Sequence, residues 1–239
     1  MGRGGRALPV TARLKAVLFD LDGTLVDSVG GIHAAAVAMA RALDLPPPAL
    51  GAVRDRIGHG VPTLVARLLD HLGADPGRAA EAEAAFRAAY DADPAATPLP
   101  GARALLAALH ADGLALGLVT NKPEAPTRTI LTATGLTATG LGATGLGPFG
   151  VVVGGDTLAA RKPDPAPLLH AAAALGVAPE ETAFVGDGEP DRAAAEAAGM
   201  RCLLLADGYG AAPDGPVFAR IRHLADALPI LRDLQTNRI

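Results

Sequence analysis

The chain has 239 residues, half of them hydrophobic, and a formal net charge of −4. That length can bury a substantial core, as one large domain or as a main domain with a smaller insert. The weak acidic balance excludes an electrostatic grip on nucleic acid or on an acidic membrane surface. Cys202 is the only cysteine, so an internal disulfide is impossible and a reducing cytoplasm is the expected setting. The opening MGRGGRALPVTARLK is basic, but the apolar run after it is short and breaks at Asp20, so neither a secretory segment nor a membrane span is expected. Arg6 spoils a myristoylation signal.

In chain order, short apolar runs ending in a polar or glycine-rich turn recur at 16–19, 114–119, 151–153, 182–185 and 202–205, and read as five buried strands. Between the first two runs, the Ala- and Leu-rich segments 32–43, 53–58, 62–72 and 78–90 carry helical spacing. Pro46-Pro47-Pro48 breaks that series, and the proline-rich stretch 93–101 returns the chain to the next strand. Further helices are expected at 101–110, 124–132, 166–175 and 192–198. Alternating strands and helices imply an α/β fold, a doubly wound parallel sheet with an inserted helical cap. The division places residues 14–27 and 98–239 in the core and 28–97 in the cap.

One glycine-rich stretch invites a different reading. GLGATG fits the dinucleotide fingerprint at Gly140, Gly142 and Gly145, but it lies between an expected helix and an expected strand, the reverse of the order the fingerprint needs. No dinucleotide is expected there. ATGL recurs at 133–136, 138–141 and 143–146, a period of five that suits neither helix nor strand and reads as a surface insert.

In such a sheet, ligands collect at the carboxyl ends of the strands. The residues found there are Asp20-Leu21-Asp22-Gly23-Thr24, Thr120-Asn121-Lys122, Arg161-Lys162-Pro163 and Gly186-Asp187-Gly188-Glu189-Pro190-Asp191. Carboxylates so close at a buried strand end repel one another and lose hydration, so a cation should offset them. Asp20, Asp22 and Asp187 would make an all-oxygen site suited to Mg2+ that also holds waters and a phosphate oxygen. With a phosphate bound, Asp20 can act as nucleophile, and Asp22 can protonate the leaving alcohol and later activate water. The Thr120 hydroxyl and Asn121 amide can donate to phosphate oxygens, and Lys162 supplies a point charge. Thr120 could alternatively cap the following helix. Asp191 could orient Lys162 or metal-bound waters, or be a first-turn helix acid only.

These residues resemble the haloacid dehalogenase superfamily, whose four motifs stand here as FDLDGT at 19–24, VTN at 119–121, RKP at 161–163 and GDGEPD at 186–191. The resemblance implies Asp20 as nucleophile, Asp22 as acid/base, Thr120 and Lys162 as phosphate ligands and Asp187 as magnesium ligand. It also implies that Asp22 meets the metal through its backbone carbonyl, and it selects Lys162 over the neighbouring Arg161. Narrower features are similar to the phosphoglycolate phosphatase branch: DLDGTLVDS at 20–28, IGHG at 57–60 followed by Arg67, TNKP at 120–123 and VVVGGDTLAARKPDP at 151–165. Gly188 departs from that pattern, where relatives more often carry Ser.

The expected activity is a Mg2+-dependent phosphatase acting through an aspartyl-phosphate on a small phosphorylated metabolite, with 2-phosphoglycolate foremost. Gly58-His59-Gly60 is either a loop that lets backbone approach this ligand or a turn between helices. Arg67 either pairs with the carboxylate of a small acid or is an ordinary solvated arginine. A phosphatase for another small phosphate and a phosphomutase share the same first step, and a monomer or homodimer is expected. From another class, a receiver module whose aspartate stays phosphorylated is opposed by Asp22, which would speed loss of the phosphoryl group.

Overall fold

The computed structural model describes residues 12–137, 147–209 and 214–237. The chain runs through β1 (Ala16–Phe19), β2 (Val26–Asp27), the helices α1 (Val29–Ala42), α2 (Leu50–Arg54), α3 (Val61–His71) and α4 (Ala79–Ala92), and β3 (Thr97–Pro98). It continues through α5 (Ala102–Ala111), β4 (Ala115–Val119), α6 (Glu124–Ala133), β5 (Phe149–Val153), α7 (Ala166–Ala174), β6 (Thr182–Gly186), α8 (Glu189–Ala198), β7 (Arg201–Leu205), β8 (Ala219–Ile221) and α9 (Leu224–Thr236). Six strands form one parallel sheet in the order β5-β4-β1-β6-β7-β8, and β2 pairs with β3 in an antiparallel ribbon.

The sheet is covered on both faces, which is why its strands read as unbroken apolar runs. The two-residue period of β1 sends Val17 and Phe19 to the layer made by α5, α6 and α9, and Leu18 to the layer made by α7 and α8. The four helices between β2 and β3 bury a separate cluster of their own, built on Met39, Leu68, Phe86 and Tyr90. This is a doubly wound α/β unit carrying an inserted helical lobe.

Four details differ from the sequence pattern. The helix expected at 53–58 is α2 at Leu50–Arg54, and the chain turns before Gly58, whose φ is +115°. β8 and α9 fall in a stretch where the sequence pattern predicts no element: β8 is three residues long with only Ile221 buried, and α9 carries Pro229 in its interior. α8 begins at Glu189, three residues before the expected start, since Pro190 fits the first turn of a helix and Asp191 accepts from the Gly188 N–H. The β2–β3 ribbon closes the base of the helical lobe, and two-residue strands leave no periodic signal. GLGATG and most of the ATGL insert lie outside the described residues. Their flanks are α6 and β5, so the connection runs from helix to strand. Among the described residues, no helix is long and apolar enough to cross a membrane.

Candidate active site

The register of the sheet sets the strand tips side by side. Phe19 pairs with Leu118 on one side and Val185 on the other, so Asp20 leaves β1 between the ends of β4 and β6. Its own N–H donates to the Val185 carbonyl at 2.9 Å, and the Thr120 N–H donates to Val153 in the same way. Backbone hydrogen bonding therefore fixes where these side chains start.

Asp20, Asp187 and Asp191 are all buried, and their carboxylate oxygens lie within 4.8 Å of one another. Lys162 reaches them from the segment after β5, with Nζ 2.8 Å from Asp20 Oδ1 and 2.7 Å from Asp191 Oδ1. Asp191 is held through both oxygens, because the other one accepts the backbone N–H groups of Asp187 and Gly188. Asp187 accepts from the Thr24 hydroxyl at 3.1 Å and from the Tyr209 N–H at 2.7 Å. Only glycine suits position 23, where φ is +81° and a Cβ would stand 2.3 Å from Asp187 Oδ2.

Three acids against one lysine leave negative charge uncompensated. Burial raises the Asp20 carboxyl, Lys162 pulls it back, and Asp191 and Asp22 push it up again, to about 7. Burial likewise lifts Asp187 well above the usual carboxylate range, reinforced by Asp191 and Asp20. Burial alone would lower Lys162, but Asp191 and Asp20 carry it above its ordinary value, so it stays charged. A hard divalent cation set between Asp20 and Asp187 would relieve both of them, and the all-oxygen donor set fits one.

Asp22 points elsewhere. Its carboxylate accepts from the Ser28 hydroxyl and pairs with Lys122 Nζ at 3.0 Å, outside the three-acid cluster. The Lys122 ammonium also donates to the hydroxyl of Tyr90, which comes from α4 of the helical lobe. Burial pulls Lys122 down, but Asp22 and Tyr90 together hold it above its usual value. Lys122 and Tyr90 were not singled out from sequence as site residues. The available signal was Lys122's place at a strand tip, beside Thr120 and Asn121.

Tyr209 was also missed. Its hydroxyl accepts from the Ser28 and Val29 N–H groups and donates to Asp27, tying the loop after β7 to the start of α1. The chain holds only two tyrosines, and both stand where the lobe meets the sheet.

Asn121 corrects a sequence expectation. Its amide nitrogen donates to the carbonyls of Gly58 at 2.9 Å and Lys162 at 2.8 Å, and its oxygen accepts the Lys162 N–H at 3.0 Å. Both amide hydrogens are committed, so the side chain ties three segments together rather than donating to a phosphate. Thr120 does not cap α6, whose N-cap is Pro123. Its oxygen accepts the Lys122 N–H at 3.2 Å, which leaves the hydroxyl hydrogen available to a ligand.

Two pockets open on Asp20 and Asp22. One is apolar, walled by Ile32, Ile57, Leu64 and Phe86 of the lobe and closed by Thr120 and Lys122 of the core. The other is polar and lies on the Asp187 side, bordered by His59, Arg67, Glu189 and Tyr209. Gly58 and Gly60 have φ of +115° and +82°, so the Gly58-His59-Gly60 loop turns as glycine permits and lines both pockets. Arg67 is exposed and lies 3.3 Å from His59 Nδ1. Burial and Arg67 both lower the His59 imidazole.

A nucleophile-capable aspartate on the first strand, a lysine after a later strand and an acidic pair after another define the class of α/β hydrolases with carboxylate-centred sites and inserted lobes. The family model of haloacid dehalogenase-like hydrolases matches residues 14–199, and the chain belongs to that family. A phosphoglycolate phosphatase of Cereibacter sphaeroides (strain ATCC 17025) is 43% identical over 227 residues, 92% of this chain and 99% of the relative. One from Rhodospirillum rubrum is 44% identical over 209 residues, covering 83% and 82%. The crystal structure of a predicted phosphoglycolate phosphatase from Haemophilus somnus superposes with a TM-score of 0.79 at 28% identity, covering 92% of this chain and 99% of that one.

Proposed function

We propose that the protein is a Mg2+-dependent phosphatase that converts 2-phosphoglycolate to glycolate and phosphate through an aspartyl-phosphate on Asp20. The observation that carries this reading is the buried Asp20 carboxylate held between Lys162 and Asp187, with Asp22 facing the same cavity. The names of the curated relatives support the substrate.

Asp20 attacks phosphorus, and the bond to the leaving oxygen breaks as Asp22 gives that oxygen its proton. In the second step Asp22 takes a proton from water, the water oxygen bonds to phosphorus, and the bond to Asp20 breaks. The Thr120 hydroxyl and the Lys162 ammonium bind the equatorial phosphoryl oxygens, where charge gathers. Asp191 positions Lys162. Asp20 and Asp187, with the Asp22 backbone carbonyl, would hold Mg2+, which supplies positive charge against the phosphoryl oxygens.

In this reading residues 28–97 are a cap over a core of 14–27 and 98–239. The Gly58-His59-Gly60 loop and Arg67 stand at the cap's rim, where they meet the substrate as the cap closes and excludes water. The enzyme is cytoplasmic, acts as a monomer or homodimer, and needs no nucleic acid, membrane or dinucleotide.

The test is phosphate release from a panel of phosphorylated metabolites with Mg2+ present, ranked by kcat/KM, for wild type and Asp20→Asn. The expected result places 2-phosphoglycolate first, with the variant reduced about 10,000-fold or more, as when a covalent nucleophile is removed. Unchanged Mg2+-dependent turnover in folded Asp20→Asn would sink the nucleophile assignment.

A further inference from the structure

The apolar pocket has an unexpected feature for a site that takes a small molecule carrying a phosphate and a carboxylate. Its lobe wall is hydrocarbon, and among its described lining residues the only cation is Lys122. Lys162 is committed to Asp20 and Asp191, on the side of the transferring phosphoryl group. Arg67 borders the polar pocket and does not line the apolar one. An anionic leaving group entering the apolar pocket would therefore lose hydration and meet one positive charge.

Lys122 is built to keep that charge. Its side chain is 4% exposed, and its ammonium is held by the lobe and the core together. An ammonium carries three N–H donors. One goes to Asp22 and one to the Tyr90 hydroxyl, and the Tyr90 ring lies 4.5 Å from Nζ. No hydrogen-bond acceptor among the described residues takes the third.

The geometry points to Lys122 as the residue that recognises the carboxylate of the leaving group, making the enzyme selective for phosphate esters of small hydroxy acids. This deepens the phosphatase reading and rests on it. Asp22 protonates the leaving oxygen, and Lys122 Nζ lies 3.0 Å from Asp22. In 2-phosphoglycolate one methylene separates that oxygen from the carboxylate, so an ester oxygen at Asp22 places the carboxylate within reach of Lys122. The apolar wall sharpens the choice, since a neutral or cationic leaving group would leave the buried ammonium without an anionic partner. Tyr90 holds Lys122 from the cap, so the carboxylate subsite is complete only when the cap is seated on the core.

The experiment compares 2-phosphoglycolate with 2-hydroxyethyl phosphate, which has the same two-carbon chain and a hydroxyl in place of the carboxylate. Lys122→Met weakens the hold on Asp22 for both substrates, so that loss cancels in the ratio of their kcat/KM values. The ratio itself should fall about 10- to 100-fold, the range for losing one hydrogen bond to a charged group. KM for 2-phosphoglycolate should account for much of the change, while inhibition by inorganic phosphate stays as in wild type. A ratio that does not move shows that Lys122 only positions Asp22 and overturns the proposal, as does a ratio that collapses in Arg67→Ala instead.

A second measurement needs no variant. Glycolate should inhibit wild type while ethylene glycol at the same concentration does not, and equal effects of the two overturn the proposal. Failure of the substrate reading looks different. A wild type that ignores 2-phosphoglycolate but hydrolyses another carboxylate-bearing phosphate removes the named substrate, and the Lys122 ratio is then read on that ester and its alcohol analogue. A wild type that prefers 2-hydroxyethyl phosphate overturns both.

Discussion

The two halves of the site are built on opposite physical plans. On the core side, Asp20, Asp187, Asp191 and Lys162 crowd acids and one base at the tips of parallel strands, where backbone N–H groups pin one oxygen of Asp191 and one of Asp187. On the lobe side, Ile32, Ile57, Leu64 and Phe86 offer hydrocarbon, and one lysine from the core is shared with one tyrosine from the lobe. The first plan suits charge that moves during phosphoryl transfer, because fixed dipoles and ions need no reorganisation. The second suits discrimination, because a mostly dry wall makes any unmatched charge costly. On the proposed reading the reaction belongs to the strand tips and the choice of substrate to the seam where Lys122 of the core meets Tyr90 of the lobe, with Asp22 touching both.

Asp22 is the place to test that division first. Asp22→Asn should lower kcat on 2-phosphoglycolate about 100- to 10,000-fold, the usual worth of a positioned general acid. On p-nitrophenyl phosphate, whose leaving group needs no proton, the loss in the first step should be much smaller, as a burst of p-nitrophenol would reveal. Equal loss of burst and steady-state rates on both esters would place Asp22 outside proton transfer.

Asn121 comes next, because it joins the halves. Asn121→Ala strips the partners from the Gly58 carbonyl and from both backbone groups of Lys162. A shift of the lysine by about 1 Å would cost about 100-fold in kcat/KM. The measurement is steady-state kinetics beside a thermal melt; a melt that drops with kinetics unchanged would mean that the tie is structural only.

The charge imbalance predicts a pH signature in the metal-free protein. The unfolded Asp20 carboxyl titrates near 3.8 and the folded one at about 7, so between these values the folded chain holds a proton that the unfolded chain has released. Metal-free stability therefore falls as pH rises through that window, and Asp187 adds in the same direction. A divalent cation replaces the proton. Thermal melts with and without Mg2+ should show a larger gain at pH 8 than at pH 5, approaching about 2.7 kcal/mol at 100 times the Kd. A gain independent of pH would separate the cation from these acids.

The smallest effect should come from the ATGL insert. Its described flanks, the end of α6 and the start of β5, stand at the amino-terminal edge of the sheet, opposite Asp20 and Asp187. Deleting residues 137–146 should leave kcat/KM within a few-fold, and a collapse in folded protein would show that the insert reaches the site after all.

The sequence by itself determined much of this protein: the parallel sheet, the inserted helical lobe, and the strand-tip positions of Asp20, Asp22, Thr120, Lys162 and Asp187. These were legible because they rest on local rules. Strands buried on both faces are apolar throughout, the chain turns polar where they end, and ligands of such sheets gather there. What only the tertiary structure decided is which partner each polar atom takes. Asn121 reads as a phosphate donor until Gly58 and Lys162, far apart in sequence, are seen to occupy its amide. Lys122 reads as an ordinary lysine until Tyr90 and Asp22 enclose it. β8 and α9 find their places only against β7 and α5, as a short edge strand and a docking helix must. The reason is common to all three: periodicity records which face of an element is buried, while hydrogen-bond pairing across the lobe boundary depends on segments that only the folded chain brings within 3 Å of one another.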